Sequence, residues 1–167
     1  FAVARFRFKF STLLYYFFIF GLLLPLNTML LPLYLIFAKL CLINSIANII
    51  LLYTAFNLPM TVFVSTGFFQ AIPKELEDSA NIDGCSKLRV YFNIFLPLSK
   101  APLSWVIILN SLNVWNDFMF PLFFLQSDGK KTLVVKMFFF SGQYKSDWNL
   151  IFAFITISVL PIIILFI

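Results

Sequence analysis

The chain has 167 residues, of which 62% are hydrophobic and 11% charged, with 24 phenylalanines and a mean hydropathy of +0.97. A soluble domain is nearer half apolar and a quarter charged, so a soluble enzyme and a disordered chain are both excluded. The net charge of +5 comes from basic residues that flank apolar runs. That placement fits membrane topology and anionic lipid headgroups and gives no support for nucleic acid. There is no histidine, and Cys41 and Cys85 form neither a CxxC pair nor a disulfide framework. No secretory signal is recognisable. The chain opens on Phe1 and its last residues sit inside an apolar run, so it reads as part of a longer protein.

Ser11 to Ala38 carries no charge over 28 residues. As helix that is about 42 Å, more than the roughly 30 Å of a bilayer core. Pro25 and Pro32 fall inside it, so it is either one tilted, kinked span over 11–37 or a helix that breaks near Pro32. Leu40 to Pro73 is uncharged over 34 residues. Asn44, Ser45 and Asn48 make its start a loop, and a span follows over 46–70 with Pro59 as a kink. Lys74 to Lys100 holds eight of the nineteen charged residues and reads as an aqueous loop over 71–98. A third span covers 99–125. Gln126 to Asp147 is polar and basic, with an apolar stretch at Val134 to Phe140 that suits the interface. Trp148 opens a last span over 148–167. Seven Lys and Arg, including Arg5, Arg7 and Lys9, fall on the side of the 71–98 loop, and five, including Lys130 and Lys145, on the other. The excess favours a cytoplasmic placement of that loop.

The loop carries the most information: IPKELEDSANIDGCSKLRVYFNIFLPLSKAP, residues 72–102. Pro73 suits a helix first turn, where its missing N–H costs nothing. Glu75, Glu77 and Asp78 follow where the helix dipole favours anions. Ile72, Leu76, Ser79 and Ala80 share a face, and the small pair Ser79 and Ala80 permits close approach of another backbone. Gly84 stands where a helix stops in the left-handed conformation. A second helix runs from Ser86 to Phe95, closed by Leu96-Pro97, because the residue before proline is pushed out of helical geometry.

Asp78-Ser79-Ala80, then Gly84, Ile94 and Leu96-Pro97, resembles in spacing the EAA motif of ABC importer permeases. Asp78 and Ser79 depart from the usual Glu and Ala. Three further stretches, residues 30–45, 113–125 with Trp-Asn-Asp-Phe, and 142–166, are similar to sugar permeases of the maltose-transport type. The resemblance covers most of the chain. It implies an all-α integral membrane protein with a single transmembrane permease domain over 1–167. This would be a multi-span helical bundle of the type I ABC importer permease fold, C-terminal portion, with a cytoplasmic helix-turn-helix coupling loop. It implies a multi-pass protein of a prokaryotic cell membrane, the permease subunit of an ATP-driven sugar importer, and no enzyme. The implied partners are a cytoplasmic ATP-binding subunit, a second permease subunit of different sequence, an extracytoplasmic sugar-binding protein and membrane lipid. Glu75, Asp78, Ser79, Ala80, Asp83, Gly84, Ile94, Leu96 and Pro97 would form the ATPase-coupling loop.

The chain has no GxxxxGK[ST] phosphate loop and no nucleophile–base pair, so ATP would be handled by another chain, and no cofactor, metal or catalytic residue is expected. Trp115, Asn116 and Asp117 are candidates for the substrate pathway, since an ionisable group at membrane depth is a functional candidate. Asp117 equally suits a helix-end cap, and Trp115 an interface belt. Asn44, Asn48 and Asn57 either meet hydroxyl-rich substrate or tie helices together. Cys85, beside Gly84, suits a small buried position. The rival reading is a secondary transporter or channel with no ATPase partner.

Overall fold

In the computed structural model, residues 1–6, 8–140 and 148–166 are described. Every regular element among them is helical. In chain order they are α1 (Ala2–Arg5), α2 (Ser11–Gly21), α3 (Leu26–Lys39), α4 (Ile46–Ala71), α5 (Lys74–Ile82) and α6 (Lys87–Val90). A π-helical turn (Tyr91–Phe95) joins α6 to α7 (Leu96–Leu98), followed by α8 (Lys100–Asn116), α9 (Met119–Phe124), α10 (Leu133–Phe140) and α11 (Trp148–Phe166). Helices are what an apolar chain must form in lipid, because all backbone polar groups are then paired within the segment. Leu13, Phe17, Phe20, Leu31 and Leu51 are 63–70% exposed, a surface suited to lipid or neighbouring helices.

Among the described residues, α4 alone is by length and composition a single helix long and apolar enough to cross a membrane. Two broken pairs, α2 with α3 and Lys87–Leu98 with α8, each qualify if counted as one span, and Ile151–Ile164 is a shorter apolar helix. Three expectations need correction. The 11–37 run is two helices, and the break falls at Leu22–Pro25, not near Pro32. Pro25 takes φ −72°, ψ 116° as the N-cap of α3, a conformation its ring favours, whereas Pro32 is held inside α3. The 99–125 run divides at Asp117–Phe118 into α8 and α9. The second loop helix does not close at Leu96-Pro97; it continues to Leu98. Lys145, Arg7 and residues 142–147 of the similar C-terminal stretch lie outside the described residues.

The chain forms two compact units, Phe1–Leu24 with Phe56–Ile107, and Pro25–Ala55 with Ile108–Ile167. In the first, Phe69, Ala80, Val90 and Phe95 form a buried core, flanked by Phe1, Ala4, Ile72, Cys85, Tyr91 and Ile94. Phe95 is fully enclosed, with the Phe1 ring 4.8 Å and the Phe69 ring 6.2 Å from its own. In the same unit Gly21 of α2 lies so close to Pro59 of α4 that a Cβ would stand 2.8 Å from the proline ring.

In the second unit Phe124 is the centre of the core. It packs on Phe37 at 5.5 Å, Tyr34 at 5.9 Å and Phe120 at 5.9 Å. A polar knot lies beside it. Asn44, at φ +62°, donates its N–H to Phe124 O at 2.8 Å. Its Oδ1 accepts from Ser127 N–H and Oγ at 3.1 and 2.9 Å, and its carbonyl accepts from Lys130 Nζ at 2.5 Å. Asn48 Nδ2 donates to the Leu42 carbonyl. Asn44 and Asn48 thus tie segments together, the second of the two readings their sequence allowed.

Candidate functional site

The loop between α4 and α8 is built by local rules that can be followed residue by residue. Pro73, at φ −55°, ψ 138°, is the extended N-cap of α5, one position before the helical first turn expected for it. Glu75 and Glu77 occupy the first turn, where free N–H groups and the helix dipole favour a carboxylate. The end of α5 is a Schellman motif: Cys85 N–H donates to Ala80 O at 2.9 Å and Gly84 N–H to Asn81 O at 3.1 Å. Gly84 sits at φ +74°, a conformation that costs little only without a Cβ. Cys85, following it, packs against the core that contains Ala80, the hydrophobic contact that accompanies this motif.

Ser86 then caps α6, its Oγ accepting from Arg89 N–H at 3.4 Å. The helix passes Pro97 because of the π turn. Leu96 keeps φ −64°, ψ −46° and donates five residues back to Tyr91 O. The wider coil leaves room for the Pro97 ring, which a tight turn would press onto the Asn93 carbonyl. Ser99 N–H closes the run on Phe95 O at 3.0 Å.

The nine loop residues singled out by sequence divide into two sets. Glu75, Asp78, Ser79 and Asp83 are exposed. The Ser79 hydroxyl donates to Glu75 O at 2.7 Å, and Asp78 has no polar partner among the described residues. Ala80 is buried and Ile94 half-buried in the core, so the close approach that Ala80 permits is made to this chain's own Val90 and Phe95 cluster. Leu96 is half-buried, Pro97 is exposed, and Gly84 sets the turn. Two large apolar side chains complete the outer surface: Ile82 is 86% exposed and Leu88 72%. A short helix thus presents carboxylates, a hydroxyl and apolar tips outward from a fixed base.

Sequence reasoning missed what fixes the base. Arg5 of α1 donates from Nη2 to the Ile72 carbonyl. Its guanidinium lies 4.7 Å from the Phe95 ring centroid, and its Nη1 is 4.0 Å from Glu77 Oε2. Glu77 also accepts from Lys87 Nζ at 3.1 Å. The only local signal was that Glu77 precedes the buried Ala80 by three residues and so borders its face. Nothing in the sequence joined Arg5 to Ile72, 67 positions away, or to Glu77 and Phe95 beyond it.

Trp115, Asn116 and Asp117 lie together at the end of α8. Asp117 Oδ2 accepts from Tyr53 OH at 2.8 Å and Oδ1 from Met119 N–H at 3.0 Å, so both carboxylate oxygens are engaged within the chain. Trp115 Nε1 donates to Ser158 O at 3.2 Å, three residues before the helix-interior Pro161. Asn116 is exposed. A groove of about 200 Å³, lined by Ser111, Leu112, Trp115, Pro161 and Ile162, opens beside them. Its lining is almost wholly apolar.

This is the architecture of a helical membrane component with an ordered polar loop. The chain belongs to the family of binding-protein-dependent transport system inner membrane components, whose model matches residues 1–167. The family consists of transport permeases and not enzymes. A Caldicellulosiruptor protein described as an ABC transporter permease is 41% identical over 167 residues, covering all of this chain and 61% of the relative. The melibiose/raffinose/stachyose import permease protein MelC of Bacillus subtilis is 36% identical over 146 residues, 87% of this chain and 53% of the relative. The arabinooligosaccharides transport system permease protein AraQ of Halalkalibacterium halodurans is 34% identical over 167 residues, all of this chain and 59% of the relative. The chain thus spans 53–61% of the length of these relatives.

Proposed function

We propose that this chain is the pathway-forming and energy-coupling part of an ABC sugar importer permease, with oligosaccharides as the substrate class. The names of its relatives support the sugar. The observation that carries the coupling is the division of the 71–98 loop into an inward-anchored base and an outward α5. Ala80, Ile94 and the Schellman turn at Gly84 hold the element. Glu75, Asp78, Ser79, Asp83 and the exposed Ile82 and Leu88 face outward for a cytoplasmic ATP-binding subunit.

The mechanism is a two-state switch. Closure of the ATPase dimer displaces α5, and α5 is too firmly seated to move alone, so α4 moves with it. ATP binding then favours the state that accepts sugar from an extracytoplasmic binding protein. A second permease chain completes the pathway. The exposed surfaces of α2, α3 and α11 supply faces for it and for lipid. The loop lies in the cytoplasm and four apolar runs span the membrane. Trp115 and Asn116 are the residues at the end of α8 still open to substrate, while Asp117 holds the end of that helix.

Co-purification of the full-length permease with the ATPase and second permease from its operon tests this reading. The complex should take up raffinose or arabino-oligosaccharides in liposomes only with ATP and the binding protein. Uptake by the permease alone would establish the secondary-transporter alternative.

A further inference from the structure

We infer that Arg5 is a positioning residue for coupling: through its contacts with Ile72, Glu77 and Phe95 it locks the outward-facing loop helix to the lead-in of α2 and the end of α4. This role rests on the proposed function above. By charge pattern Arg5 belongs with Arg7 and Lys9 as a topological cation facing lipid headgroups or water. Its side chain, however, is 5% exposed, and that of Glu77 15%. Its Nε is buried without a partner among the described residues. A cation so placed is held by the protein's own groups, because a buried charge left unpaired is strongly unfavourable.

The three groups it meets belong to three different pieces. Ile72 is in the link between α4 and α5. Glu77 is on α5 and also holds Lys87 of α6. Phe95 is the fully buried ring of the π turn, with Phe1 of the same N-terminal segment meeting it edge-on at 4.8 Å. Covalently α5 is joined to α4 only through Ile72 and Pro73, a pair of backbone torsions that would let it swing. The guanidinium closes that hinge. Its fork geometry reaches a carbonyl and a carboxylate while its face covers an aromatic ring, a combination lysine reproduces only in part. A push on α5 is therefore delivered to α1, and along the chain to α2, as well as to α4.

The test uses the full-length permease assembled with its ATPase and partner permease in nanodiscs. Spin labels go on Phe63→Cys in α4 and on the exposed Asn81→Cys in α5, outside the proposed docking set, in a Cys41→Ala, Cys85→Ala background. Wild type should give a narrow distance distribution that shifts with ATP and vanadate. Arg5→Met should broaden it and lower sugar transported per ATP hydrolysed by about tenfold, within the range of residues that carry coupling. Arg5→Lys, which keeps the charge but not the fork, should recover only part of that ratio. Should Arg5→Met fail to assemble, Glu77→Gln removes one arm of the clamp and should broaden the same distribution. An unchanged distribution and transport ratio in Arg5→Met, or in Glu77→Gln in its place, overturns the inference and leaves the proposed function intact. A wild-type complex that neither binds ATPase nor transports overturns that function, and this role with it.

Discussion

Replacing Gly84 separates backbone conformation from packing. The residue sits at φ +74°, and an added Cβ would meet no heavy atom within 4 Å. The penalty is therefore conformational, with no steric clash in it. Alanine should cost about 1 kcal/mol, a roughly fivefold shift in the population of the closed turn. Asparagine, whose short amide bonds locally and tolerates the left-handed region, should cost less. Valine, β-branched at a positive φ, should cost most. The readout is hydrogen exchange at the Gly84 and Cys85 amides, whose bonds to Asn81 and Ala80 define the turn, together with ATPase association in detergent. Protection should fall in the order Gly, Asn, Ala, Val. Membrane insertion should be unaffected, and Gly84→Val should lose sugar uptake. A ranking by side-chain volume, with Asn worse than Ala, or wild-type uptake in Gly84→Val, would refute the reasoning.

Asp78 lies in the second turn of α5, beyond the first turn where the dipole term acts. Asp78→Asn and Asp78→Lys should therefore cut ATPase association in pull-downs, while Asp78→Glu is tolerated; near-normal transport in Asp78→Asn would favour the dipole account. Gly21→Ala forces a Cβ to 2.8 Å from the rigid Pro59 ring, so it should cost about 1–3 kcal/mol of thermal stability in detergent; an unchanged melting temperature would contradict the packing of α2 on α4. Tyr53→Phe and Asp117→Asn should each lose about 1 kcal/mol, and the double variant little more than either, because they share one 2.8 Å hydrogen bond. Simple additivity of the two losses would argue against the tie. Cysteine labelling from outside the cell should fail at position 87 and succeed at position 130, and the reverse result would invert the topology.

What could be read from sequence was local. The turn at Gly84 follows from one residue type and a spacing, and its αL conformation was there to be inferred. The break at Pro25 was not distinguished from one at Pro32, because both prolines sit in equally apolar surroundings. Only the pairing of Pro25 with an extended N-cap decides between them. The passage of the second loop helix through Pro97 was illegible for a different reason: a π turn has no residue signature and relieves the very clash by which Leu96-Pro97 was expected to stop the helix. Asp117 could be placed at a helix end, but its partner Tyr53 is 64 residues away. Arg5 was counted as a topological charge because run-length and charge patterns cannot reveal that a cation turns inward.

The Arg5 contact bears on how permeases of this family can be recombined. The 71–98 loop looks like a portable cassette, bounded by apolar helices and punctuated by Pro73 and Pro97. Its seat, however, is completed by a residue that lies upstream of α2. A graft of residues 71–98 into another permease would bring Glu77 and Phe95 without the guanidinium they surround, and the host's own residue at that place would have to fit both. Chimeras that carry Phe1–Arg5 along with the loop should assemble where the loop alone does not. The unit of exchange is discontinuous, and a boundary drawn from the linear sequence would cut through it.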